Sequence, residues 1–175
     1  MAMKVSINAI HLRLPLSWCF EMIFSRSAEY AIRGLVFLAP LAPGESALVK
    51  QIAAESGIPM HFLAKILQDL ARDGFLKSNK GPRGGFRLAI SPAELPLLKV
   101  IEAVDGAGRY QRCIAGGEEC SDRVLCSMHD SWVPVRSRIV EYLQGTSIAD
   151  LAKSLGEKRR LLARSRRSTP ARGFV

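Results

Sequence analysis

The stretch Ser56–Leu88, SGIPMHFLAKILQDLARDGFLKSNKGPRGGFRL, decides the fold. Gly57-Ile58-Pro59 makes a tight turn with a proline at the start of a helix, and Leu63, Ile66, Leu67 and Leu70 recur as one helical stripe. That stripe leaves His61, Ala64, Lys65 and Gln68 on the other side, and Gly74 stands where a C-terminal cap belongs, just after Arg72. Phe75–Ser78 and Gly85–Leu88 then read as short strands around a glycine-rich, cationic tip, Asn79–Gly84. Helix, turn, helix and basic hairpin in this order specify a winged helix, whose outward helix can enter a major groove about 12 Å wide. The hairpin carries Lys80, Arg83 and Arg87 toward phosphates or the minor groove. A wet helix face and a solvated turn are the plain alternatives for the same residues.

Upstream, Ala28, Ala31, Ile32, Leu35, Val36 and Leu38-Ala39 give a helix from Ser25 that Pro40 ends. Ser46 is expected to cap a short helix through Ala54, with Val49, Ile52 and Ala53 on one face. Downstream, Ser91-Pro92-Ala93-Glu94 has the form of a helix start, and Leu97, Leu98, Val100, Ile101 and Val104 carry an apolar helix to Asp105-Gly106. After a cysteine-containing loop, Met128, Trp132, Val135, Ile139, Tyr142 and Leu143 give a long amphipathic helix to Gly145. Pro134 fits if that helix starts near Ser131, in its first turn. The stripe exceeds what a small domain can cover, so a partner helix is expected. A short capped turn, Ser147–Leu151, closes the ordered part.

Composition sets the outer limits. The chain has 175 residues, 48% of them hydrophobic and 23% charged, which suits a core-forming domain and excludes wholesale disorder. No run of about 18 apolar residues exists to span a bilayer, so no membrane partner is expected. The net charge is +9, but residues 157–175 hold seven basic residues and one acid, 7 − 1 = +6, leaving 9 − 6 = +3 for the rest. A DNA-binding reading therefore does not rest on overall charge. The organisation read from the sequence is an extension at 1–21, a winged-helix DNA-binding domain at 22–90 and a connecting helix at 91–106. A cysteine loop at 107–128, a dimerisation helix with its capped turn at 129–156 and a basic disordered tail at 157–175 follow. The extension is weakly apolar, is broken by His11, Arg13 and Pro15, and shows no cleavage site, so it is not read as a signal peptide. Met22, directly before the first helical pattern, is the expected start of translation.

Three of the four cysteines fall within fourteen residues, as Cys113-x6-Cys120-x5-Cys126-x2-His129. Clustering of this kind points to a ligand set, and the gaps exceed the usual spacing of zinc knuckles. Thiolates suit zinc and iron-sulfur clusters alike, and a metal-free disulfide switch needs only the thiols. Cys19 is a further thiol only if the leading segment belongs to the native protein. An enzyme using Cys126 as nucleophile and His129 as base lacks recognisable oxyanion donors and a third orienting residue, so no catalytic residue is assigned.

Taken together, several segments resemble the IscR/NsrR-type winged-helix transcription regulators of bacteria. The carriers are Phe24–Ala31, Gly57-Ile58-Pro59, Lys80–Phe86, Val100–Gly106 and the three-cysteine loop, and the resemblance runs from Met22 to about Leu155. It implies a mainly α fold with a small β wing and a long dimerisation helix. It also implies a cytoplasmic homodimer that represses transcription from a roughly palindromic site on double-stranded DNA. The resemblance further places an iron-sulfur cluster, of the 2Fe-2S or 4Fe-4S type, on Cys113, Cys120 and Cys126, sensing redox state, nitric oxide or iron-sulfur status. The fourth ligand is His129, as in IscR-like members, or the partner subunit's Glu29, as in NsrR-like members. The residues expected at DNA are Ser25, Arg26, His61, Ala64, Lys65, Gln68, Lys80, Arg83 and Arg87. Ala64 stands where IscR-like members place a discriminating acid, and Lys80 where related proteins often carry an arginine.

Overall fold

The computed structural model describes residues 23–79, 81, 84–108, 110, 120–121, 123 and 126–168. Lys80, Arg83, Cys113, Met22 and the 1–21 extension with its Cys19 lie outside the described residues. Among the described residues, six helices and one hairpin follow in chain order: α1 (Arg26–Leu38), α2 (Val49–Ser56), α3 (Met60–Arg72), β1 (Leu76–Asn79), β2 (Gly85–Leu88), α4 (Leu97–Asp105), α5 (His129–Gly145) and α6 (Ile148–Ser168). A single 3-10 turn, Pro92–Glu94, joins the hairpin to α4. No helix among the described residues is long and apolar enough to cross a membrane.

α1 is the centre of the packing. Ala28, Ala31, Ile32, Leu35, Val36 and Leu38 are all buried on it, and they share one core with Ile52 of α2, Leu63, Leu67 and Leu70 of α3, Val100 and Ile101 of α4, Phe86 of the wing, Leu143 of α5 and Ile148 of α6. In α3 the buried positions fall at i, i+4 and i+7, the spacing that puts one face of a helix inward. Gly57 adopts φ 63° as the left-handed cap of α2, and this conformation lets the chain turn tightly into α3.

The hairpin is antiparallel, with Leu76 opposite Leu88, Lys77 opposite Arg87, Ser78 opposite Phe86 and Asn79 opposite Gly85. Its base is joined to the α1–α2 loop, because Ala47 N–H donates to the Phe86 carbonyl at 3.0 Å and Phe86 N–H to the Ala47 carbonyl at 2.9 Å. Gly85, at φ 126°, lies so close that a Cβ there would sit 2.3 Å from the Ala47 carbonyl oxygen. No other residue fits that position.

Four expectations from the sequence need correction. Ser46 does not cap α2: the pairing of Ala47 with the wing holds the chain extended, so the helix starts at Val49, and the Gln51 side chain accepts from Leu48 N–H at 2.9 Å instead. The Ser91-Pro92 start does not run into α4. Pro96 favours an extended Leu95, and the backbone there is used elsewhere, Ile148 N–H donating to the Leu95 carbonyl and Leu97 N–H to that of Thr146, both at 2.9 Å. α5 begins at His129, two residues before Ser131, so Pro134 lies in its second turn. Finally, Ser147–Leu151 opens a helix where a closing turn was expected, and residues 157–168 of the presumed disordered tail belong to α6. Glu, Lys, Arg, Leu and Ala are strong helix formers, and charge alone does not melt a helix whose start is capped and whose Leu151 and Ala152 pack on the core.

Candidate functional site

The outward face of α3 collects the residues expected to read DNA. His61, Lys65 and Gln68 are exposed and Ala64 is half-buried, while Met60 and Phe62 are also open to solvent. The rings of His61 and Phe62 lie 4.0 Å apart between centroids. Arg26, Ser27 and Tyr30 at the start of α1 line one cleft with Phe62, Lys65 and Asp69 of α3. The N-terminal turn of α1 and the recognition helix therefore form one surface.

Ser25 is placed differently from Arg26. Its hydroxyl caps α1, accepting from Ala28 N–H at 3.0 Å, and donates to the Asp105 carboxylate, which also takes Ser25 N–H at 2.8 Å. The hydroxyl is thus used within the protein, whereas Arg26 is exposed.

In the wing, Lys77 and Arg87 stand directly opposite each other on paired strands. Like charges in such a pair oppose each other, and the arrangement is stable against a polyanion in a way it is not in water. Lys77 was not among the residues expected at DNA. The register that pairs it with Arg87 depends on the turn, and sequence spacing alone does not fix it. The Arg87 Nε is buried without a hydrogen-bond partner among the described residues.

After the cysteine loop, α5 starts with His129, whose Nδ1 lies 3.4 Å from the Cys120 sulfur. His129 N–H also donates to the Cys126 carbonyl at 3.2 Å, so the loop returns onto the first turn of α5. Cys120 and Cys126 are half-buried. Among the described residues no three donors yet converge on one point, and Cys113 lies outside them. The donor types present, thiol and imidazole, fit a soft metal or cluster. Glu29 is on α1, half-exposed, in an i,i+4 ion pair with Arg33 at 3.1 Å.

Residues 24–154 match the family model Rrf2, described as an iron-dependent transcriptional regulator. The chain belongs to the Rrf2 family. As an Rrf2 protein it is a transcriptional regulator with a DNA-binding fold, and not an enzyme. It is 37% identical over 132 residues to an HTH-type transcriptional regulator of Aquifex aeolicus, covering 74% of this chain and 91% of that one. With the HTH-type transcriptional regulator NsrR of Geobacillus kaustophilus it shares 31% identity over 146 residues, 83% of this chain and 99% of the relative. With IscR of Aliivibrio salmonicida the identity is 30% over 130 residues, 74% and 77% of the two chains. Among solved structures, the Rrf2 fold here is similar to CymR, the global cysteine regulator of B. subtilis, with a TM-score of 0.65 at 22% identity over 76% of this chain and 98% of that one. It is also similar to T. potens IscR, with a TM-score of 0.63 at 22% identity over 78% and 90%.

Proposed function

We propose that this regulator binds a roughly palindromic operator as a homodimer and that an iron-sulfur cluster in the cysteine loop controls the binding. The observation that carries the reading is the Cys120–His129 contact at 3.4 Å, which gathers a thiol and an imidazole at one point of the loop. Cys113, Cys120 and Cys126 would hold the cluster, with His129 as fourth ligand. The same contact favours His129 over the partner subunit's Glu29, whose carboxylate faces Arg33 within its own helix. When bound, a cluster supplies a group whose integrity responds to oxidants and nitric oxide, and a non-cysteine ligand is the one most easily displaced. On the DNA, His61, Ala64, Lys65 and Gln68 face base edges, while Arg26, Lys77, Lys80, Arg83 and Arg87 position the protein on the backbone, and Ser25 holds the turn that presents Arg26. The cytoplasm is the compartment that matches this role.

Anaerobic purification with visible absorption, iron and acid-labile sulfide measured on one sample tests this. A brown protein with matched iron and sulfide is expected, and Cys120→Ser should bleach it. His129→Ala should make the cluster labile while Glu29→Ala leaves it intact; the reverse order moves the ligand to the partner's Glu29. Colourless protein after attempted reconstitution overturns the cluster. In that case the half-buried Cys120 and Cys126 thiols support a second reading, a thiol switch whose DNA affinity changes with reductant alone.

A further inference from the structure

Asp105 is the last residue of α4, and the cysteine loop begins directly after it. Its carboxylate accepts from both the backbone N–H and the hydroxyl of Ser25, eighty positions away in sequence. The Ser25 hydroxyl thereby has a fixed orientation: its proton faces Asp105 and a lone pair faces Ala28 N–H, at 3.0 Å. Five residues further on, Tyr110 donates its hydroxyl to the Ile23 carbonyl at 2.8 Å. Two hydrogen-bonded links from the root of the loop therefore seize the same three residues, 23–25, that lead into α1. Between the links lie Gly106 and Gly108, both at positive φ, so the backbone between them can pivot. The turn they hold is the one that presents Arg26 and Ser27 beside Phe62 and Lys65 of the recognition helix.

We infer that Asp105 and Tyr110 are positioning residues for DNA binding, latching the N-terminal turn of α1 to the root of the cysteine loop within one subunit. A rearrangement of the loop then moves Arg26 relative to Lys65 without passing through the dimer helix. This rests on the reading that the loop changes state, and the contacts differ from those of any cluster ligand. Both links are hydrogen bonds from part-exposed groups, strong enough to hold a turn and weak enough to open with the loop.

The test uses the full-length protein with its thiols free and with them alkylated by iodoacetamide. Hydrogen exchange is followed at the amides of residues 23–30, and affinity is measured on a duplex selected by the wild type from a random pool. Alkylation should raise exchange at Ser25 and Ala28 in the wild type and change DNA affinity by about tenfold, within the usual range of coupling between sites. In Tyr110→Phe and Asp105→Asn, with melting temperatures near wild type, both responses should shrink toward none, and Ser25→Thr, which keeps the hydroxyl, should retain them. Wild-type exchange at 23–30 that ignores alkylation overturns the latch, as do variants that respond like wild type. If exchange responds and DNA affinity does not, the loop is tied to the turn but the role of Asp105 and Tyr110 in positioning for DNA binding is overturned.

Discussion

The two halves of the molecule are built on different terms. From α1 to α4 every helix contributes fully buried side chains, Leu35, Ile52, Leu63, Leu67, Leu70, Val100 and Ile101 among them. In α5 only Leu143 is buried, and Val135 and Tyr142 stay 47% and 58% exposed. In α6 Leu161 and Leu162 are each 63% exposed. The reading half supplies most of the one core, to which α5 and α6 add Leu143 and Ile148, whereas the outer parts of α5 and α6 end in apolar surface that one chain does not cover. A rigid reader joined to an incomplete half is an arrangement in which events at the second can act on the first, and a second copy of the chain is the proposed cover.

The comparison can be broken most forcefully at its dense side. Leu63→Ala should lower the unfolding free energy by about 2–5 kcal/mol, as for other fully buried leucines, while Val135→Ala at low protein concentration should change it by less than about 0.5 kcal/mol. Urea titrations giving equal losses would erase the distinction between the halves. Next in size, Val135→Glu with Tyr142→Glu should weaken dimerisation by at least about a hundredfold, two apolar contacts being replaced by charges in a buried patch. Sedimentation equilibrium reads this, and a wild type that is monomeric at micromolar concentration removes the interface altogether.

A smaller effect belongs to the wing. Lys77→Ala should relieve the pairing with Arg87 and raise stability by a few tenths of a kcal/mol, yet flatten the salt dependence of DNA binding by about one unit of slope. An unchanged slope takes Lys77 off the DNA. The smallest effect concerns the entry to α6. Asp150 accepts from Ser147 N–H at 2.9 Å and from its hydroxyl at 2.6 Å, and the hydrogen bonds from Ser147 hold its carboxyl below the ordinary 3.8. A depressed carboxyl favours the folded state above that ordinary value, and the benefit is lost as pH falls through the lower folded one. Wild type should therefore be slightly more helical than Asp150→Ala at neutral pH, and circular dichroism should show the gap closing below pH 3.8.

Much of the reading half was legible because its signals are local. The stripe Leu63-Leu67-Leu70, the glycine turn before α3 and the alternation around Gly85 report helix and strand directly. The errors occurred where distant backbone competes. The α2 start shifts because Ala47 bonds to Phe86, and α4 is delayed because Leu95 and Leu97 bond across to the α5–α6 joint. α6 departs from the expected tail because the helix propensity of its Glu, Lys, Arg, Leu and Ala outweighs its charge. At the site, the outward face of α3 follows from periodicity alone. The Lys77–Arg87 pairing and the Ser25–Asp105 link depend on register and on contact across eighty residues, which spacing does not encode.

The seal between Gly85 and Ala47 divides the hairpin into two parts with separate freedoms. At its root the backbone of the entering loop leaves no room for a side chain, so the angle at which the wing leaves the body is set once for all sequences that keep the glycine. Beyond the root, the strands continue beside α3, with Ser78 and Phe86 lining one cleft with Lys65 and Gln68. In the proposed DNA complex that fixed angle would set where the hairpin and the outward face of α3 meet the duplex relative to each other.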